Sequence, residues 1–211
     1  MTGRLGRFHL VTDVRRGRDP VAVVRAALSA GVPVIQVRVA DHLSDRGAYH
    51  LSQLVTDLCH EAGATCLVND RLHIALAVGA DGGHVGGDDL PVDAARRILG
   101  PAAILGATAR DPESARAAVA AGATYLGVGP AFATRTKEGL PDPIGPAGIR
   151  AVAEAVPVPV IAIGAVTLAR VPELLAAGAY GVAVVTAVSD APDPAAACAE
   201  LLAALAVEEA A

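Results

Sequence analysis

The chain has 211 residues, 53% of them hydrophobic, and a formal net charge of −5. This length suits one domain covering residues 1–211, and the acidic balance, with only 2% aromatic residues, argues against a nucleic-acid partner. No apolar run reaches the roughly 18 residues of a membrane helix, and no secretory signal is visible. The three cysteines form no Cys-x-x-Cys pair. We therefore expect a reduced, cytoplasmic protein without a membrane partner.

Eight short apolar runs, several of them rich in Val and Ile, predict β-strands. In chain order they cover residues 8–12, 33–38, 65–68, 82–85, 103–106, 124–128, 159–163 and 181–185. Helices are predicted between them and after the last, over residues 19–30, 44–62, 71–78, 92–99, 112–121, 146–155, 168–177 and 194–206. Helix-start signals are Asp13, Asp111, Pro112, Thr167 and Pro194, and five of the helices end in Gly, as left-handed C-caps do.

The alternation of strand and helix predicts the fold. Eight units in 211 residues give about 26 residues per unit, which is typical of parallel βαβ units. Eight such units indicate an α/β protein with a single (β/α)8 TIM barrel. An open doubly wound sheet is the alternative, although no Gly-x-Gly-x-x-Gly follows the first strand.

Acidic side chains follow two neighbouring predicted strands. Asn69 and Asp70 end the third strand, while two glycines followed by Asp88 and Asp89 come after the fourth. Catalytic groups of such barrels lie at the carboxyl ends of the strands, and neighbouring strands are about 5 Å apart. We therefore expect Asp70 and Asp89 to reach one site, where two carboxylates, phosphate oxygens and waters could hold Mg²⁺.

Other strand ends supply amide, hydroxyl and cationic groups. Gln36 and Arg38 lie two residues apart on one face of the second strand, which we predict to be the barrel interior, where an arginine needs an anionic partner. Further candidates are Thr108 and Arg110 after the fifth strand, and Thr134, Arg135, Thr136 and Lys137 after the sixth. The loops after strands seven and eight are predicted to bind a phosphate through backbone N–H groups of Gly164-Ala165 and Val185-Thr186.

Purely structural explanations exist for several of these residues. Asp70 and Asp89 each precede a predicted helix and could be N-caps. Gln36 and Arg38 could form a structural network inside the barrel. His84 lies in an apolar strand, which is more typical of a hydrogen-bonded interior histidine than of a metal ligand.

Four segments together resemble the thiamine-phosphate synthase family and its relatives, the thiazole tautomerases. They read VIQVR, VNDRLHIALAVGADGGHVGGDDLP, GATYLGVGPAFATRTKEG and VIAIGAVT, and the likeness covers nearly the whole chain. The resemblance implies a (β/α)8 barrel that joins an aminopyrimidine methyl diphosphate to a thiazole phosphate with Mg²⁺. It further implies that Asp70 and Asp89 bind Mg²⁺, and that Gln36, Arg38, Asn69 and Lys137 bind the pyrimidine diphosphate. It implies a thiazole-phosphate site at Thr134, Thr136, Gly164, Val185 and Thr186, and it places Thr108 where a Ser is common.

Three departures from the family pattern bear on activity. Ala40 replaces a second diphosphate-binding Lys, Thr108-Ala109-Arg110 replaces Ser-x-His, and Ala165 replaces the second Gly of the phosphate loop. We expect Arg110 to compensate for Ala40, and so to act in catalysis with Arg38, Lys137 and Thr108. The alternatives are a thiazole tautomerase-like enzyme, which needs the missing His but no metal carboxylates, and a non-catalytic thiazole- or thiamine-phosphate-binding paralogue. A homo-oligomer is compatible with all three.

Overall fold

The eight predicted strands form one closed, parallel barrel in the order β1 to β8. The computed structural model describes residues 5–15, 17–134, 139 and 141–206. Each strand pairs with the next, and β1 pairs with β8, so the open-sheet alternative is wrong. The strands are β1 Phe8–Val11, β2 Val34–Val37, β3 Thr65–Asn69, β4 Gly82–Val85, β5 Ile104–Ala109, β6 Tyr125–Val128, β7 Val160–Ile163 and β8 Gly181–Val184.

Helices surround this barrel. They are α1 Pro20–Ser29, α2 Asp45–Ala62, α3 Leu72–Val78, α4 Val92–Leu99, α5 Pro112–Ala120, α6 Gly145–Ala153, α7 Val171–Ala176, α8 Thr186–Ser189 and α9 Pro194–Ala206. A 3₁₀ turn over Leu168–Arg170 precedes α7, so the helix predicted over 168–177 is divided in two. None of the helices that the described residues form is long and apolar enough to cross a bilayer.

The ends of the helices agree in part with the predicted signals. Asp111 accepts hydrogen bonds from two backbone N–H groups at the start of α5, and all five predicted C-terminal glycines have positive φ. The expectation that Asp13 begins a helix is wrong, because Asp19 caps α1 and Asp13 lies buried six residues earlier. Thr167 precedes the 3₁₀ turn, but its side chain makes no capping bond.

Strand periodicity places apolar side chains on both sides of the barrel wall. Leu10, Ile35 and Leu126 belong to the core between the strands and the helices. A second cluster fills the barrel interior and contains Val11, Val34, Leu67, Tyr125, Ile161 and Ala183. The barrel interior is therefore filled by side chains, as is typical of this fold.

Two glycines leave room for aromatic rings inside the barrel. A Cβ atom at Gly106 would lie 2.2 Å from Cζ of Tyr125 and 2.4 Å from Nδ1 of His84. A Cβ atom at Gly127 would lie 2.9 Å from Cε1 of His84. The absence of side chains at these two positions allows Tyr125 and His84 to pack within the barrel.

Candidate active site

A cavity of about 520 Å³ lies at the carboxyl ends of the strands. Every sequence-predicted site residue that the structure describes lines it: Gln36, Arg38, Asn69, Asp70, Asp89, Thr108, Arg110, Thr134, Gly164, Val185 and Thr186. Arg135, Thr136 and Lys137 lie outside the described residues. The closed barrel thus gathers residues that are up to 150 positions apart, since Gln36 and Thr186 share this cavity.

An amide pair and an arginine form the β2 and β3 side of the cavity. Gln36 Nε2 donates a hydrogen bond to Asn69 Oδ1 at 2.7 Å, which fixes both side chains. The backbone of Arg38 is held by Thr12, whose hydroxyl accepts from the Arg38 N–H at 2.8 Å and donates to its carbonyl at 2.6 Å. The Arg38 guanidinium forms no hydrogen bond or ion pair with the described residues, so its charge is available to an anion in the cavity.

The two predicted metal carboxylates lie in the loops after β3 and β4. Asp70 has a positive φ of 60°, and Asp89 Oδ2 accepts a hydrogen bond from the Gly86 N–H at 2.7 Å. The N-cap interpretation of both residues is wrong, since α3 and α4 begin after Arg71 and Pro91 without a side-chain capping bond. Helix capping therefore does not explain why the side chains of Asp70 and Asp89 both line this cavity.

The two carboxylates can be compared with the donor sets that metal ions require. Among the described residues, no three His, Cys, Asp or Glu side chains gather in a metal-binding arrangement. A closed zinc site is therefore not formed by these residues. Mg²⁺ is bound through one or two carboxylates, with phosphate oxygens and waters completing its shell, and Asp70 and Asp89 match that donor set.

A histidine at the floor of the cavity links two hydroxyl groups. His84 Nδ1 lies 3.0 Å from Tyr125 Oη, and His84 Nε2 lies 3.0 Å from Thr108 Oγ1. Burial lowers the pKa of His84 to about 4, so the ring is neutral at neutral pH. The prediction of a hydrogen-bonded interior histidine agrees with these contacts.

A second histidine lies beside this group. His9 Nε2 is 3.1 Å from the Gly6 carbonyl oxygen, and its ring meets the Tyr125 ring edge-on with centroids 5.3 Å apart. Burial lowers the pKa of His9 to about 3, against the opposing effect of the Gly6 carbonyl. Neither His9 nor Tyr125 was predicted from the sequence to line the cavity. Both residues carry polar groups at interior-facing positions of β1 and β6, and this pattern could have indicated them.

The loop after β7 is strained at the predicted phosphate site. Gly164 has a φ of 107°, and a Cβ atom there would lie 2.7 Å from Cα of Pro130. Ala165 has a φ of 47°, a left-handed conformation that disfavours a residue with a Cβ. Arg170 stabilises it by donating to the Ala165 carbonyl at 2.6 Å while its guanidinium lies 4.1 Å from the centroid of the Phe132 ring. This supporting role of Arg170 was not predicted from the sequence.

Replacing Ala165 with Gly should increase stability. The left-handed conformation costs Ala about 1–2 kcal/mol, partly offset by the greater unfolded-state entropy of Gly, so we expect Ala165→Gly to raise the free energy of unfolding by about 1 kcal/mol. Denaturant unfolding measures this. Ala121→Gly is the matched control. Ala121 has a φ of −80°, so this change should lower the free energy of unfolding. A loss of stability in both variants would contradict the strain at Ala165.

A buried carboxylate connects the loop after β1 to α8. Asp13 is 4% exposed and accepts hydrogen bonds from Arg15 Nη2 and Ser189 Oγ, each at 2.6 Å. Arg15 and Arg18 also contact Asp190 at the end of the same helix. Burial alone would raise the pKa of Asp13, but the bonds from Arg15 and Ser189 outweigh it and lower the pKa to about 2. This cluster holds α8, and with it the position of Thr186.

The same cluster predicts a pH-dependent contribution to stability. Because the pKa of Asp13 falls from 3.8 to about 2 on folding, its stabilisation is complete above pH 4 and is lost as the pH falls towards 2. Asp13→Asn should lower the free energy of unfolding by about 2 kcal/mol at pH 7 and reduce its slope between pH 4 and 2. Urea titrations at several pH values test this. Asp93→Asn, which removes an exposed pair with Arg97, should change little. Equal effects of both variants would argue against the buried cluster.

Arg110 lies in the wall of the cavity beyond β5. Its Nη2 donates to the Asp142 carbonyl oxygen, and its buried Nε has no hydrogen-bond partner among the described residues. Arg110 is thus a cavity residue whose guanidinium is held by the backbone of Asp142.

A closed parallel barrel with charged and polar side chains in a cavity at its carboxyl ends defines the class of (β/α)8-barrel enzymes. Within this class, the family model described as thiamine monophosphate synthase matches residues 8–188. The chain belongs to this thiamine monophosphate synthase family.

Individual relatives agree with the family. Thiamine-phosphate synthase of Salinispora arenicola (strain CNS-205) is 66% identical over 203 residues, covering 95% of this chain and 98% of the relative. The Chloroflexus aurantiacus thiamine-phosphate synthase is 44% identical, with 96% and 94% covered. The solved thiamine phosphate pyrophosphorylase of Pyrococcus furiosus superimposes with a TM-score of 0.87 at 36% identity, covering 96% of each chain. The chain is thus a transferase of the thiamine-phosphate synthase type, acting on small molecules in thiamine biosynthesis.

Proposed function

We propose that this enzyme couples 4-amino-2-methylpyrimidin-5-ylmethyl diphosphate with thiazole phosphate to give thiamine phosphate and pyrophosphate. The observation that carries the proposal is the convergence on one cavity of Asp70, Asp89 and the Arg38 guanidinium, which has no hydrogen-bond or ion-pair partner among the described residues. Two carboxylates beside a cation suit a metal-bound diphosphate, since the carboxylates alone would repel it.

The proposed reaction is dissociative. The bond between the methylene carbon and the diphosphate oxygen breaks, and the electron pair leaves with pyrophosphate. The thiazole nitrogen then supplies the pair for the new carbon–nitrogen bond. The protein must stabilise charge that develops on the leaving group, which is where preorganised cations and donors contribute most.

Each side of the cavity has a role in this proposal. Gln36 and Asn69 orient the pyrimidine through the amide groups that their mutual bond leaves available. Arg38, Lys137 and Arg110 bind the diphosphate, and Thr108 donates a hydrogen bond to the substrate. Asp70 and Asp89 would hold Mg²⁺, which when bound neutralises part of the diphosphate charge.

The thiazole phosphate is assigned to the opposite side. Gly164 and Val185 follow β7 and β8, and Thr186 begins α8, so backbone N–H groups of these loops are available to a phosphate. Thr134 and Thr136 would add hydroxyl donors from the loop after β6. This leaves the thiazole nitrogen to face the pyrimidine across the cavity.

One assay separates this proposal from its alternatives. Purified protein is incubated with Mg²⁺ and both substrates, and thiamine phosphate and pyrophosphate are measured together. Equal amounts of the two products that depend on Mg²⁺ would support the synthase. Aromatisation of a thiazole substrate without pyrophosphate release would favour a tautomerase-like enzyme, and binding of thiamine phosphate without its formation would favour a binding paralogue.

A further inference from the structure

Thr108 lies at the end of a short hydrogen-bonded chain that begins deep in the barrel. Tyr125 is 1% exposed and His84 is 8% exposed, and the His84 ring contacts Tyr125 Oη on one side and Thr108 Oγ1 on the other. The Thr108 residue itself is exposed to the cavity. A buried phenol is therefore linked through an imidazole to a hydroxyl that a ligand can reach.

The direction of these hydrogen bonds follows from donor and acceptor counting. Among the described residues, Tyr125 Oη has one hydrogen-bond partner, His84 Nδ1. A buried hydroxyl that does not donate leaves a costly unpaired hydrogen, so Tyr125 donates and Nδ1 accepts. A neutral imidazole has a single N–H group, which must then be on Nε2 and donate to Thr108 Oγ1.

This direction determines what Thr108 presents to the cavity. Its oxygen already accepts from His84, and its hydroxyl hydrogen has no acceptor among the described residues. We propose that Tyr125 and His84 are positioning residues that hold the Thr108 hydroxyl as a hydrogen-bond donor towards an acceptor atom of the bound substrate. The identity of that substrate rests on the proposed function, whereas the direction of the chain does not.

The free protein gives the first test. Nitrogen-15 NMR of labelled protein reports which ring nitrogen of His84 is protonated, with His84→Gln used to assign the signals. We expect a neutral ring protonated at Nε2 in the parent, and a less strongly populated Nε2–H form in Tyr125→Phe. A ring protonated at Nδ1, or at both nitrogens at neutral pH, would overturn the proposal. This measurement needs no turnover, so it holds whether or not the protein forms thiamine phosphate.

A double-mutant cycle gives the second test. Thr108→Val removes the hydroxyl and nearly preserves shape, while Tyr125→Phe removes only the phenol oxygen. We expect kcat/KM to fall about tenfold or more in Thr108→Val and about fivefold in Tyr125→Phe, the scale of one hydrogen bond. Thr108→Ser, which keeps the hydroxyl, should retain most of the activity.

The combined variant distinguishes positioning from general damage. If Tyr125 acts through Thr108, adding Tyr125→Phe to Thr108→Val should cause no further loss. Multiplication of the two losses would mean that Tyr125 acts independently of Thr108, and would overturn the proposal. Absence of product in the parent together with an Nε2-protonated His84 would reject the proposed function and leave the hydrogen-bonded chain supported.

Discussion

Asp70→Asn and Asp89→Asn should each reduce Mg²⁺-dependent turnover by at least about 10²–10³-fold. Each change removes one of two negative charges that would hold the ion, and the metal's contribution to leaving-group stabilisation is worth several kcal/mol. Initial rates over a Mg²⁺ titration measure the effect. Calorimetric titration of Mg²⁺ in the presence of inorganic pyrophosphate adds a readout that is independent of turnover.

Asn is the substitution that the structure recommends at both positions. Asp70 has a positive φ, which Asn tolerates better than Ala does, and an Asn at position 89 can still accept from the Gly86 N–H. Asp57→Asn, on the exposed side of α2, is the control and should leave the Mg²⁺ dependence unchanged. Parental Mg²⁺ dependence in both cavity variants would show that these carboxylates do not hold the metal.

Arg110→Ala should lower turnover by about 10²–10³-fold, the scale of losing one partner of a charge that develops in the transition state. A leaving pyrophosphate carries about three negative charges, which exceed the charge of one Mg²⁺. Arg38 and Lys137 are two proposed cationic partners, and Ala40 provides none. Arg110 lines the cavity with a guanidinium suited to two-point phosphate binding.

A second substitution distinguishes compensation from a loss of structure. Ala40→Lys in the Arg110→Ala background should restore part of the turnover, since it returns a cation to the loop after β2. Arg116→Ala, on the exposed face of α5, is the matched control. Arg110 also donates to the Asp142 carbonyl oxygen, so thermal unfolding of each variant should accompany the kinetics. Unchanged rates in Arg110→Ala, in an active parent, would end the compensation hypothesis.

The fold could be predicted from the sequence because the periodicity of apolar residues marks each strand and helix locally. All eight predicted strands occur in the predicted order, and the predicted polar site residues that the structure describes follow their ends into one cavity. Errors arose where the local signal was weak. Strand β5 extends to Ala109, whereas the sequence predicted its end at Gly106, because the small and polar residues at its end give a weak strand signal. Helix α8 has four residues, too few for helical periodicity to be visible.

The side-chain contacts of the site were harder to predict from the sequence, because they depend on the pairing of strands that are distant in the chain. His84 was predicted to be a hydrogen-bonded interior residue, but its partners Tyr125 and Thr108 could be identified only from the barrel register. Asp13 shows the same limit. An acidic residue before a helical run favours capping, whereas one of the actual partners of Asp13, Ser189, is 176 positions away in the sequence.

The glycines at positions 106 and 127 have a consequence for how substrate range could change in this barrel. Because these two positions have no side chain, the rings of His84 and Tyr125 occupy the space above them and line the cavity. A smaller residue in place of Tyr125 would enlarge the cavity, whereas a side chain at Gly106 would force the rings of Tyr125 and His84 to shift. Single substitutions can thus change the depth of the cavity. A substrate with a bulkier ring system could then be accommodated, by evolution or design, while the charged residues of the cavity stayed in place.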